Sequence, residues 1–109
     1  MIEAIVGSEG AERVLLFMAA RGEGYAREIA SAYGMDVSTV QNHLKRMERD
    51  GLLVNATVGR TRVYRLNPRY AFKEEVEALL NKALEKAPPV LRDKLTLVRR
   101  RPRRAGKPL

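Results

Sequence analysis

The helical pattern of residues 37–50, followed at once by a strand pattern, restricts the possible folds of this chain most strongly. Apolar residues recur there at the spacing of one helical face: Val37, Val40, Leu44 and Met47. Asp36 precedes them as a possible N-cap, with Ser38 and Gln41 as a possible capping-box pair, and Gly51 ends the run. We therefore expect an amphipathic helix that buries one stripe and leaves a polar face outside.

The next residues change period and composition. The segments 52–57 and 61–66 are short and rich in β-branched and aromatic residues. The Gly59-Arg60 step between them suits the left-handed geometry of a tight hairpin. This pattern predicts a two-stranded hairpin directly after the helix.

Two helices are expected before residue 37. Residues 8–20 carry one apolar face with Ser8 as N-cap, and the face consists of Ala11, Val14, Leu15 and Met18. The sequence RGEG then interrupts the helix, and AREIASAY at 26–33 forms a second one that ends at Gly34. We expect its inner side to consist of Ile29, Ala30 and Tyr33.

A fourth helix is predicted after the hairpin, started by Pro68 and ending near Lys86. Its expected inner line is Phe72, Val76, Leu79, Leu80 and Ala83. The predicted organisation is a folded domain over 1–86, a possible short helix over 87–98 with Val90, Leu91, Leu95 and Val98 inward, and a disordered basic tail over 99–109. The fold class is mainly α with a small β-hairpin, a winged helix-turn-helix with a three-helix core, a two-stranded wing and a C-terminal dimerisation helix.

Charge is unevenly distributed along the chain. The formal net charge is +8, yet residues 1–84 hold 12 basic and 11 acidic side chains, whereas residues 85–109 hold 9 and 2. Residues 36–69 form a locally positive segment with 7 basic and 3 acidic side chains. This pattern indicates an acidic polymer as the partner of the hairpin region and of the tail.

The composition excludes several classes of function. There is no cysteine, which excludes disulfides and thiolate metal sites, and one histidine does not build a metal site. We find no phosphate-cradling glycine loop, paired carboxylates or activated nucleophile, and we expect no enzyme, cofactor or metal. Without a signal sequence or membrane-spanning run, we expect a soluble cytoplasmic, nucleoid-associated protein.

The segment YAREIASAYGMDVSTVQNHLKRMERDGLLVNATVGRTRVYRL resembles the ArsR-type winged-helix family of bacterial and archaeal regulators. The resemblance covers roughly residues 8–66, and its most specific parts are VSTVQNHLKRMERDGLL and GRTRVYRL. It implies a DNA-binding repressor or activator, usually a homodimer, with the third helix in the major groove and the wing on the backbone or minor groove. The metal-dependent release from DNA of some members is not carried over, because this chain has neither cysteines nor a histidine cluster.

The residues support that implication independently. With the apolar stripe inward and about 100° between successive residues, Asn42 points almost directly away from the core. The same outer face holds further polar and cationic residues, with Gln41 at its margin: Ser38, Thr39, Lys45, Arg46 and Arg49. We expect Asn42 to be the principal base reader, with Gln41 able to reach adenine, and the cations to meet flanking phosphates. His43, at the edge of the stripe, is expected to pack half-buried.

Two further groups of residues are expected to contact DNA. The wing, residues 58–65, has Arg60, Thr61 and Arg62 at its tip, which suits phosphate or a narrow minor groove. Tyr25 and Arg27, near the start of the second helix, can hold a phosphate together with free helix amides.

Two alternatives to a sequence-specific regulator stay open. One is an architectural protein that coats DNA with little sequence preference, suggested by the basic tail. The other is a winged domain that binds a protein partner, for which salt-sensitive DNA binding would be absent. Within the tail, Arg101-Pro102-Arg103 is also short enough to lie in an A·T-rich minor groove.

Overall fold

A computed structural model of the protein describes residues 1–95 and shows a winged helix-turn-helix, which confirms the predicted fold class. In chain order its elements are α1 (Glu3–Val6), α2 (Glu9–Arg21), α3 (Ala26–Tyr33), α4 (Val37–Arg49), β1 (Leu53–Val58), β2 (Thr61–Leu66) and α5 (Lys73–Lys86). Residues 89–95 are also helical. No helix within 1–95 is both long and apolar enough to cross a membrane.

Helix α2 is the centre of the core. Ser8 is its N-cap, and the Ser8 Oγ accepts a hydrogen bond of 3.1 Å from the Ala11 amide, as predicted. All four residues of its expected inner face are buried, and Leu16 and Phe17 are buried as well. The additional burial arises because α2 packs against α4 and also against α5. The short helix α1, which the sequence did not reveal, lies beside it, and the Ile2 amide donates to the Glu12 carboxylate at 2.6 Å.

Helices α3 and α4 form the helix-turn-helix. Gly34 ends α3 in the left-handed region, with φ 68°, and the Met35 amide donates to the carbonyl of Ala30. Asp36 occupies the N-cap position of α4, but its side chain caps no helix amide, and the predicted capping box is absent. The Asp36 carboxylate accepts instead from the hydroxyl of Ser38, a nearer donor that competes with the backbone.

The wing is an antiparallel hairpin in which Val58 pairs with Thr61 and Leu53 pairs with Leu66. Gly59 adopts φ 65° in the turn, as the Gly59-Arg60 step predicts. A single residue of a third strand was not predicted. Gly24, in the segment between α2 and α3, pairs with Tyr64 on β2.

The segment between β2 and α5 differs from the prediction. Pro68 does not start a helix, and α5 begins only at Lys73. The side chain of Asn67 donates to the carbonyl of Gly51 and accepts from the Arg69 amide, which holds this segment in turns. Phe72 is therefore 61% exposed beside the ring of Tyr70 rather than in the inner line of α5.

The later part of α5 follows the prediction more closely. Leu80 and Ala83 are buried, Val76 and Leu79 are half-buried, and the helix ends at Lys86. In the helical residues 89–95, Leu95 is buried and Leu91 half-buried, but Val90 is 78% exposed, contrary to its expected inward position. Val98 and the predicted tail over 99–109 lie outside the described residues.

Candidate nucleic-acid interface

Helix α4 presents a polar outer face because three apolar side chains fix its rotation. Val40, Leu44 and Met47 are buried against the core. The residues expected on the opposite side are all exposed: Ser38, Thr39, Gln41, Asn42, Lys45, Arg46 and Arg49. The hydroxyl hydrogen of Ser38 is directed to Asp36, so the Ser38 oxygen is left as an acceptor.

Seven of the predicted site residues line one open groove of about 540 Å³. They come from three parts of the chain: Tyr25 and Arg27 at the start of α3, Gln41 and Lys45 on α4, and Arg60, Thr61 and Arg62 on the wing. Val37, Leu44 and Tyr64 complete the lining. The other four predicted residues, Ser38, Thr39, Asn42 and Arg46, lie on α4 but do not line this groove.

The pairing of Gly24 with Tyr64 brings the start of α3 next to the wing. The Gly24 amide donates to the Tyr64 carbonyl at 2.9 Å, and the Tyr64 amide donates to the Gly24 carbonyl at 2.8 Å. Gly24 is buried, and a Cβ at this position would lie 2.6 Å from Cε1 of Phe17. Tyr25 and Arg27 follow directly, so this one-residue pairing positions their side chains relative to Arg60 and Arg62.

A second polar contact joins the wing to α4. The side-chain amide of Asn55 on β1 donates to the carboxylate of Glu48 near the end of α4. Both side chains are half-buried. This contact fixes the hairpin against the helix at the end away from the wing tip, and the sequence gave no periodic signal for it.

The cations of this surface carry no internal neutralisation. Within residues 1–95, no carboxylate forms an ion pair with any of the five predicted contact cations: Arg27, Lys45, Arg46, Arg60 and Arg62. By contrast, Arg13, Lys73 and Lys82 are paired with glutamates on their own helices. The groove and the adjoining face of α4 therefore have a positive potential that attracts a polyanion.

The orientation of α3 depends on a buried cation at the end of α2. The Arg21 guanidinium donates to the Glu28 carboxylate at 2.9 Å and lies 5.0 Å from the centre of the Phe17 ring. Its Nε and Nη1 atoms have no hydrogen-bond partner within residues 1–95. Because Glu28 is in the first turn of α3, this ion pair ties the helix that carries Arg27 to the core.

His43 is half-buried at the edge of α4, where a packing role was predicted. Its Nδ1 lies 3.1 Å from Nη2 of Arg46. Burial, and then the nearby charge of Arg46, lowers the pKa of His43 below its ordinary value. No group of three or more His, Asp or Glu side chains within 1–95 is arranged to hold a metal ion.

Comparison with known proteins agrees with this geometry. Residues 11–54 match the sequence profile of the family described as "Bacterial regulatory protein, arsR family", which confirms the resemblance seen in the sequence. The match spans α2, α3, α4 and the start of β1, the segment that forms the helix-turn-helix. No curated protein sequence matches the chain.

A solved structure shares the fold over most of the chain. It is described as a "probable transcriptional regulator from Pseudomonas aeruginosa", and it is 19% identical in sequence with a TM-score of 0.59. The superposition covers 89% of this chain and 81% of that chain. Fold similarity therefore extends well beyond the segment that matches the family profile.

Proposed function

We propose that this chain, whose residues 11–54 form an arsR-family helix-turn-helix, is a transcriptional regulator that binds a specific sequence of double-stranded DNA. Recognition helix α4 enters the major groove, and the wing contacts the backbone or the minor groove. The observation that carries the proposal is the groove in which cations from α3, α4 and the wing face the same space without carboxylate partners inside residues 1–95. An acidic polymer laid across that groove meets all three elements together.

Base reading is assigned to the N-terminal half of α4. Asn42 and Gln41 carry amides that can pair bidentately with adenine, and both are exposed. Thr39 supplies a short hydroxyl, and Ser38, whose hydrogen is directed to Asp36, accepts a hydrogen bond from a base amino group. These side chains lie within the first two turns of the helix, which is the part that meets base edges in helix-turn-helix proteins.

Phosphate contacts are assigned to the residues around the groove. No side chain caps α3, and its first amides are free to meet an anion beside the exposed Tyr25 and Arg27. Arg60 and Arg62 occupy the wing on the other side of the groove, with Thr61 between them. The groove therefore fits one backbone strand held between the start of α3 and the wing.

A homodimer is part of the proposal. The sequence suggested helix one and the helix ending at Lys86 as the contact, but α2 is covered by α4 and α5 of its own chain. The remaining exposed apolar side chains include Ile5, Phe72 and Val90, at 67%, 61% and 78% exposure. We therefore assign the contact to α1, α5 and residues 89–95, which a second copy would cover. Sedimentation at micromolar concentration tests this assignment, and a monomer alone would contradict it.

Selection of bound duplexes from a random library tests the proposed specificity. We expect one enriched motif, with binding of the enriched duplex on the order of a thousandfold tighter than that of a random duplex. Uniform binding of all duplexes would favour the architectural alternative instead. Absence of salt-sensitive DNA binding would favour the protein-partner alternative.

A further inference from the structure

Arg46 has one fixed neighbour on its own helix. Its Nη2 lies 3.1 Å from Nδ1 of His43, which precedes it by almost one turn. For this contact to be a hydrogen bond, Nδ1 must accept, so the imidazole is neutral with its proton on Nε2. No carboxylate within residues 1–95 competes for the Arg46 guanidinium.

The imidazole ring is itself held from the other side. Gly10, in the first turn of α2, lies so close to it that a Cβ at this position would be 2.5 Å from Nε2 of His43. The ring therefore fills the space that a side chain at position 10 would need. Since α2 is the buried centre of the fold, His43 connects the exposed guanidinium of Arg46 to the most rigid element of the protein.

This arrangement restricts a side chain that is otherwise mobile. A free arginine on a helix surface samples many rotamers, and ordering it on binding reduces affinity. His43 lies at the margin between the buried stripe and the outer face, so a guanidinium bonded to it is held at the flank of α4. In a helix lying in the major groove, the flank faces the phosphate backbone and the outermost residues face the bases.

We propose that His43 is a positioning residue that holds the Arg46 guanidinium, before DNA arrives, in place to bind a backbone phosphate beside the major groove. The inference rests on the proposed function. His43 does not touch DNA in this arrangement, and it acts through Arg46. The space left by Gly10 is the second part of the device.

A double-mutant cycle between His43 and Arg46 tests the inference, with the selected duplex and a random duplex titrated at several salt concentrations. His43→Leu keeps a half-buried apolar side chain but removes the acceptor, and it should weaken binding of both duplexes by about two- to tenfold. In the Arg46→Ala background the same change should have no further effect. Arg49, one turn nearer the C-terminus and paired with Asp50, is the matched control, and its alanine variant should add to His43→Leu without coupling.

Two further variants separate positioning from packing. His43→Asn retains an acceptor oxygen near the place of Nδ1 and should restore most of the affinity that His43→Leu loses. Gly10→Ala leaves both His43 and Arg46 intact but requires the ring to move, so binding should weaken although alanine favours the helix. Thermal unfolding checks that each variant is folded.

The outcomes separate the two levels of the argument. A wild-type protein that binds no duplex overturns the proposed function and this inference with it. DNA binding with no coupling between His43 and Arg46, or with full affinity in Gly10→Ala, overturns the inference alone. A loss confined to the selected duplex overturns it too, because Arg46 would then read a base rather than a phosphate.

Discussion

The buried ion pair at the end of α2 predicts an asymmetric response to mutation. The Arg21 side chain is 1% exposed and the Glu28 side chain 20% exposed. Glu28→Ala would leave the guanidinium buried with no counter-charge, whereas Arg21→Met would leave a carboxylate that water already reaches. The two variants break the same contact, but only the first strands a charge in the core.

The magnitude follows from the burial. Removing one partner of a buried pair costs about 3–5 kcal/mol, and the partial exposure of Glu28 places Glu28→Ala near 3 kcal/mol. Arg21→Met deletes the charge together with its Nε and Nη1 atoms, which lack hydrogen-bond partners within residues 1–95. Its main loss is the cation–π contact with Phe17, on the order of 1–2 kcal/mol, which packing of methionine against the ring partly offsets. Glu28→Ala should therefore be the more destabilising variant.

Equilibrium unfolding in urea measures both variants and their double mutant. The double mutant should be more stable than Glu28→Ala, since the second change removes the stranded charge. Glu28→Gln, which retains an acceptor without the charge, should lie between wild type and Glu28→Ala. If Arg21→Met destabilises the protein as much as Glu28→Ala does, the pair contributes more attraction than desolvation cost and the argument fails.

Further predictions concern the interface, the histidine and the tail. Asn42→Ala should cost about 1–3 kcal/mol on the selected duplex and relax the base preference, whereas Arg60→Ala should weaken all duplexes alike and flatten the salt dependence in the same titrations. Because the pKa of His43 is lowered on folding, its contribution to stability is complete above its ordinary value of 6.5 and is lost as the pH falls through the lower folded value. The free energy of unfolding should therefore fall less on acidification in His43→Asn than in wild type. Deleting residues 99–109 should lower the salt slope by about 0.9 per phosphate released and weaken selected and random duplexes alike, and unchanged affinity at low salt would contradict a DNA role for the tail.

The helices and the hairpin were predictable because each has a local signal. The apolar stripe ending at Met47 set the rotation of α4, Gly34 ended α3, and Gly59 set the turn of the wing. These signals depend on residues within one or two turns of each other. The outer face of α4 followed from the buried stripe by geometry alone.

The remaining features depend on contacts between distant parts of the chain. Helix α1 has four residues, too few to form alone, and it is held by packing and by the bond from the Ile2 amide to Glu12. A one-residue pairing such as Gly24 with Tyr64 has no period to detect. The polar contacts of Asn55 with Glu48 and of Arg21 with Glu28 join separate elements, and a single sequence does not reveal them.

The placement of ion pairs explains how a nearly neutral domain presents a cationic surface. Residues 1–84 hold 12 basic and 11 acidic side chains, so their total charge alone would not attract DNA. Several of these carboxylates are paired away from the groove: Glu9 with Arg13, Glu28 with Arg21, and Glu77 with Lys73. Each pair removes one negative charge that would otherwise offset the groove cations at long range. The field that a polyanion meets therefore comes from Arg27, Lys45, Arg46, Arg60 and Arg62, and it depends on where the acidic residues are paired more than on the net charge.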